Sequence, residues 1–161
     1  MIIEILRRTP PWVFALFVLL LYLGYAQSRK RTVTTARLAI LPVLMPTLSL
    51  SGVLSVFGAD PVALSCWLAG LIAAAVLVRA IGVPKGVAYS PDSRTFSVPG
   101  SWWPLALIMA IFFARYAVTV ALAMNPSLAR LAAFAAAVGA TYGLPSGYFV
   151  ARALNIRGAA A

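Results

Sequence analysis

Histidine is missing from this chain, cysteine occurs once (Cys66), and only three residues are acidic: Glu4, Asp60 and Asp92. Each shortage excludes a class of chemistry. Zinc and haem sites draw on histidine or cysteine clusters, and calcium and magnesium sites on clustered carboxylates. One copy of this chain assembles neither, so no metal and no cofactor is expected. A Ser-His-Asp or Cys-His nucleophile needs a histidine base. A paired-carboxylate mechanism needs two acids side by side, whereas Asp60 and Asp92 fall in loops predicted on opposite sides of a membrane. The chain is therefore not expected to be an enzyme. A lone cysteine forms no intrachain disulfide, and Cys66, inside an apolar run, reads as a buried inert thiol.

Charge is scarce as well. Charged residues make up 10% of the 161 positions and hydrophobic ones 63%, with a mean hydropathy of +0.97. A soluble domain carries about 25% charged residues, so a soluble globular domain, a disordered chain and a disulfide scaffold are all excluded. The charge that remains is one-sided, 13 Lys+Arg against 3 acids, for a formal +10. On a soluble protein that would point to nucleic acid. Here the basic residues flank apolar runs, so the expected partner is a bilayer with anionic headgroups, and no nucleic acid.

Apolar runs of the required length, roughly 20 residues, occur at about 11–26, 38–57, 61–81, 101–124 and 127–154. Prolines at or just before the starts (Pro10, Pro11, Pro61, Pro104, Pro126) suit first turns, where a missing N–H costs nothing. Trp12, Tyr22 and Tyr25 read as interfacial anchors of the first span. Arg7 and Arg8 ahead of it, with Gly24-Tyr25-Ala26 after it, resemble a signal peptide. The basic run Arg29-Lys30-Arg31 that follows at once favours a retained helix. The expected fold is all-α: residues 1–161 as a single transmembrane domain, a five-helix bundle.

The loops orient it. Arg29, Lys30, Arg31, Arg37, Arg79, Lys85, Arg94, Arg152 and Arg157 fall on one side, and Arg7, Arg8 and Arg130 on the other. The positive-inside rule then predicts a periplasmic N-terminus and a cytoplasmic C-terminus. The long connection at about 84–100 predicts a short cytoplasmic β-hairpin. In it Val87-Ala88-Tyr89 pairs with Thr95-Phe96-Ser97-Val98 around a turn at Ser90-Pro91-Asp92-Ser93. An isolated hairpin is marginal in water, so it must rest on helix ends or headgroups, as a cap or as an edge that docks a partner.

A few residues are costly enough to need a reason. Arg115 lies well inside the fourth span, where an arginine costs about 2.5–3.5 kcal/mol on insertion scales. Either it snorkels or binds backbone carbonyls, or it serves as a counter-charge for an anionic group, with Asp60 its obvious acidic partner. Thr119 is its nearest polar neighbour one turn on. The second span carries Pro42 and Pro46, which break backbone bonding. Pro42, Met45, Pro46, Ser49 and Gly52 share one face, and Thr47, Ser51 and Ser55 form a second polar stripe. Such a helix lines a path, or it is kinked for packing. In the fifth span Gly139, Gly143 and Gly147 recur every fourth residue, a close-packing ridge for an internal helix or for a second copy in a homo-oligomer. Tyr142 and Ser146 lie beside that ridge. Leu144-Pro145-Ser146-Gly147 is not an intramembrane serine protease motif, since leucine stands where glycine is required and no histidine exists. Asp60, just before Pro61, reads as the N-cap of the third helix.

The stretches MIIEILRRTPPWVFAL, PGSWWPLALIMAIFFARY and YGLPSGYFVARAL resemble a family of small bacterial inner-membrane proteins with no assigned function. The likeness spans Met1 to about Leu154 and implies an inner-membrane location and about five helices; it implies no catalytic residue or substrate. Three functional classes stand. In a small transporter or channel, Arg115 attracts the anionic part of a substrate while Ser49, Thr119, Tyr142 and Ser146 line the path. In a non-catalytic scaffold or assembly partner, the glycine ridge serves helix association. An enzyme acting on lipid is the third and has the fewest parts.

Overall fold

The computed structural model describes residues 11–159, without the side chains of Trp12, Val13, Leu16 and Leu23. The expectations for Glu4, Arg7, Arg8, Pro10 and the Trp12 ring lie outside the described residues. The chain runs α1 (Pro11–Ser28), β1 (Arg31–Thr34), α2 (Thr35–Phe57), α3 (Pro61–Ile81), β2 (Ala88–Ser90), β3 (Thr95–Val98), α4 (Trp103–Met124), a short 3-10 turn (Pro126–Arg130) and α5 (Ala132–Gly158). It is mostly helical, and each expected span has its helix. The fifth begins later than expected because Asn125 turns back the chain. Its side chain accepts from the Ser127 N–H at 3.2 Å and the Ser127 hydroxyl at 2.6 Å, and the helix proper opens only at Ala132.

Helix α3 starts where a cap and a proline dictate. Asp60 accepts from the Ala63 N–H at 2.8 Å, and Pro61 occupies the first helical turn. At its other end Gly82 takes a left-handed conformation, φ 69°, and returns its N–H to Arg79 and Val78. Asn155 of α5 donates to the Val78 and Val83 carbonyls, tying this end to the last helix. Pro42 and Pro46 do not break α2, which continues through both.

Helix α5 is the centre of the packing. It packs on α3 and on α2, while α1 packs on α4. The reason is the glycine ridge. A Cβ on Gly139, Gly143 or Gly147 would run into the carbonyls of Ala63, Trp67 and Leu71 respectively. Those carbonyls are also four residues apart, so the two backbones keep step over two turns. Of the two partners open to this ridge, an internal helix or a second copy, the structure seats α3 of the same chain on it.

The predicted hairpin is part of a three-stranded antiparallel sheet of order β1-β3-β2. The basic first loop, read from sequence as a loop alone, supplies β1, with Val33 opposite Phe96 and Arg31 opposite Val98. Four residues of alternating pattern, Arg31-Thr32-Val33-Thr34, are too few to stand out. The connecting turn closes one residue later than expected, by a bond from the Arg94 N–H to the Pro91 carbonyl at 3.3 Å. Val33, Phe96 and Val98 pack on Leu38, Ala153 and Ile156, so the sheet rests on the ends of α2 and α5.

Helices α2, α3 and α4 are long and apolar enough to cross a membrane, with mean hydropathies of 1.9, 2.2 and 2.2. Only 17%, 17% and 6% of their most apolar windows is buried inside the molecule. Their apolar side chains therefore face outward, which fits a membrane protein and not an aqueous surface.

Candidate functional site

The site begins with the face of α2 that carries Ser49 and Gly52, both buried against α5 and its neighbours. Ser49 Oγ is 2.7 Å from Ser146 Oγ of α5, and the two hydroxyls are hydrogen-bonded. Trp67 of α3 donates its Nε1–H to Ser49 Oγ at 2.9 Å. Whichever serine accepts in that pair has one proton left and a backbone acceptor within reach, the Pro46 carbonyl at 3.2 Å from Ser49 or the Tyr142 carbonyl at 3.3 Å from Ser146. Three helices are thereby joined by one polar network with each member served.

Gly52 sits one turn further along α2 and leaves room for two large groups. A Cβ there would lie 3.0 Å from Arg115 Nη2 and 3.1 Å from Tyr142 Cε2. The Arg115 guanidinium lies over the Tyr142 ring, 5.9 Å from its centroid, within reach of a cation–π attraction. Tyr142 itself belongs to a core of Val53, Ala63, Ala135 and Val138, closed on the α4 side by Ala114 and Val118. Arg115 is thus turned inward, onto an aromatic face. No ion pair joins it to Asp60 among the described residues; that carboxylate caps α3.

Of the residues expected to form a site, the structure brings together Ser49, Tyr142, Ser146 and Arg115. Thr119 does not join them. It is exposed and donates to the Arg115 carbonyl of its own helix at 2.9 Å. Thr47, Ser51 and Ser55 likewise bond back to Val43, Leu48 and Gly52 of α2. Helical hydroxyls that have no partner on another helix are satisfied this way. Cys66 is half-buried and not fully enclosed.

A second polar feature lies under the sheet. Arg31, Arg37 and Arg152 line one small cavity of about 20 Å³, together with Leu38, Pro42 and Phe149. Arg31 is half-buried because strand alternation puts it on the same face as Val33, toward the helix ends. Burial, and then the neighbouring charge of Arg152, hold its guanidinium below the usual arginine value. It has one neutral partner, Gln27 Oε1 at 3.4 Å. Arg152 is 4% exposed, and its Nε and Nη2 have no hydrogen-bond partner.

Residues 1–160 match the model of a family of unknown function, DUF6622. The chain belongs to that family. No curated protein and no solved structure matches it.

In this DUF6622 chain two members of these polar clusters escaped sequence reasoning. Trp67 was one apolar residue among many in its span; its place four residues from Ala63 and Leu71, on the line that meets the glycine ridge, was the available signal. Arg152 was counted with the basic loops because it stands near a helix end. Its cover comes from the sheet, and no local pattern reports that.

Proposed function

We propose that the chain is a bacterial inner-membrane protein whose five helices all cross the bilayer, with a periplasmic N-terminus and a cytoplasmic C-terminus. We further propose that it works as a non-catalytic scaffold or assembly partner. The family resemblance supports the compartment. The basic residues gathered at the sheet end support the orientation. Trp102, Trp103 and Tyr25 are exposed at that same end, where amphipathic rings anchor a protein at headgroup level.

One observation carries the scaffold reading, the closed network of Ser49, Ser146 and Trp67. Groups that line a path for a substrate need unspent bonds to offer. These spend theirs on one another and on backbone carbonyls, which locks α2, α3 and α5 into one unit. Arg115 likewise rests on Tyr142. The outward apolar faces of α2 and α3, with Val43, Leu48, Leu68 and Val76 exposed, are left for lipid or for another protein. Self-association through Gly139, Gly143 and Gly147 is not part of this reading, and a second copy would use another face.

The transport reading keeps one observation in its favour, the arginine near the middle of α4. Anion and proton flux into proteoliposomes separates the two. The scaffold reading expects no flux above empty liposomes. Flux by the native protein that disappears in a folded Arg115→Leu variant would make this a transport protein. Orientation is tested by fusing a fluorescent protein to the C-terminus. The expected result is fluorescence in intact cells, and a dark fusion that is folded in the membrane would reverse the topology.

A further inference from the structure

Three arginines converge on one cavity under the sheet, from three separate elements: Arg31 from β1, Arg37 from α2 and Arg152 from α5. Like charges repel, and a guanidinium taken out of water without a partner is expensive. Arg152 is 4% exposed with Nε and Nη2 outside hydrogen-bond geometry, and its polar neighbour is the neutral phenol of Tyr148, one turn before it, which supplies no counter-charge. The acids among the described residues do not relieve this cluster. Asp60 caps α3 at the opposite end of that helix, and Asp92 is exposed in the turn between β2 and β3.

We propose that Arg31, Arg37 and Arg152 form a binding site for a phosphate-class anion, either the headgroup of an anionic phospholipid or free phosphate. The chemistry favours phosphate over carboxylate. A carboxylate is satisfied by one guanidinium fork, whereas three donors from different directions suit a tetrahedral group carrying more than one charged oxygen. The cavity floor admits about one oxygen-sized atom, so the rest of the ligand occupies the mouth, beside the exposed Arg37. The aromatic side chains of Tyr25 and Trp102 stand at the same end of the molecule, 6.3 Å apart, which is the level a headgroup would occupy. The site goes beyond the scaffold reading and does not depend on it, because flux or its absence leaves these three residues untouched.

The test uses the full chain in two arms. In one, phosphatidylglycerol is titrated into phosphatidylcholine nanodiscs holding the protein. In the other, inorganic phosphate is titrated onto protein in a neutral maltoside detergent at constant ionic strength. Binding is read from the thermal midpoint in both arms and, in the phosphorus-free detergent arm, also from retained phosphorus. Saturable stabilisation in the first arm alone assigns a lipid headgroup, in the second alone a soluble phosphate, and either supports the site. Arg37→Gln is expected to weaken binding about tenfold, the effect of one lost charge-assisted bond. Arg152→Gln should abolish it. Should Arg152→Gln fail to fold, Arg31→Gln and Arg37→Gln carry the test. Arg94→Gln, which alters an exposed side chain in the β2–β3 turn, should bind like the native protein. No binding in either arm, or equal weakening by Arg94→Gln and Arg37→Gln, overturns the proposal.

Discussion

Replacing Gly143 by alanine probes the seam on which the packing depends. The new Cβ would fall against the Trp67 carbonyl and 3.0 Å from the Leu71 nitrogen. Both are backbone atoms of α3, so no side chain can swing aside. Relief requires α3 and α5 to part by about 1 Å, and a gap of that size forfeits up to about half the dispersion attraction of the atoms it separates. Overpacking of this kind costs about 1–3 kcal/mol. Against it stands the better helix propensity of alanine, worth about 0.8–1 kcal/mol. The net loss is at most about 2 kcal/mol, and at about 2–4 °C per kcal/mol for a chain of this size the midpoint falls by up to roughly 8 °C. Gly158→Ala is the matched control. It lies in the same helix and has nothing within 4 Å of the added carbon, so its midpoint should stay level or rise slightly. Thermal unfolding in nanodiscs measures both, and light scattering supplies the mass. Equal midpoints for the two variants would refute the seam. A Gly143→Ala protein that melts like the native one but loses oligomeric mass would show that the ridge joins two copies instead of α5 to α3.

Other substitutions test the polar network and the cap. Ser49→Ala removes the acceptor of the Trp67 N–H and the partner of Ser146, and should cost about 1–3 kcal/mol for groups left buried and unpaired. Ser146→Ala should cost less, about 0.5–1.5 kcal/mol, because Ser49 still serves Trp67 and can donate to the Pro46 carbonyl. The double variant should lose less than the two singles added together, and the three thermal midpoints measure that coupling. Asp60→Ala should lower stability by about 1 kcal/mol and Asp60→Asn should recover most of it, since either amide or carboxylate oxygen can accept from the Ala63 N–H. Hydrogen exchange at Ala63 reads the cap directly, and unchanged protection in Asp60→Ala would refute it.

What the sequence reveals here depends on how local each cause is. Helix ends were legible where a cap and a proline act within a few residues, as at Asp60 and Pro61. The glycine period announced a close helix contact, because only a missing side chain every fourth residue produces one. It could not say which helix fills the groove, because the answer lies in Ala63, Trp67 and Leu71, residues with no distinguishing chemistry of their own. The hairpin was legible from its turn and its alternation, while β1 was not. A strand of four residues that follows a basic run is recognised only once β3 pairs with it. The polar face of α2 split for the same reason. Ser49 and Thr47 have equal credentials in the sequence, and only the position of α5 decides that one bonds across helices and the other back to Val43.

Depth along a helix is only half of what sets the cost of Arg115 and Arg152. Arg115 sits near the middle of α4, where axial position alone makes an arginine the more expensive. Its guanidinium nevertheless has an aromatic face to rest on and room made for it by Gly52. Arg152 stands near the end of α5, where a charge ordinarily reaches water or headgroups. There the sheet, resting on Ile156 and Ala153, closes over it and leaves two donors unspent. Surroundings therefore reverse the order that axial position implies. A buried cation with unspent donors and no acid at hand among the described residues is the stronger reason to look for a ligand, and that reason stands at the sheet end of the molecule, not at its middle.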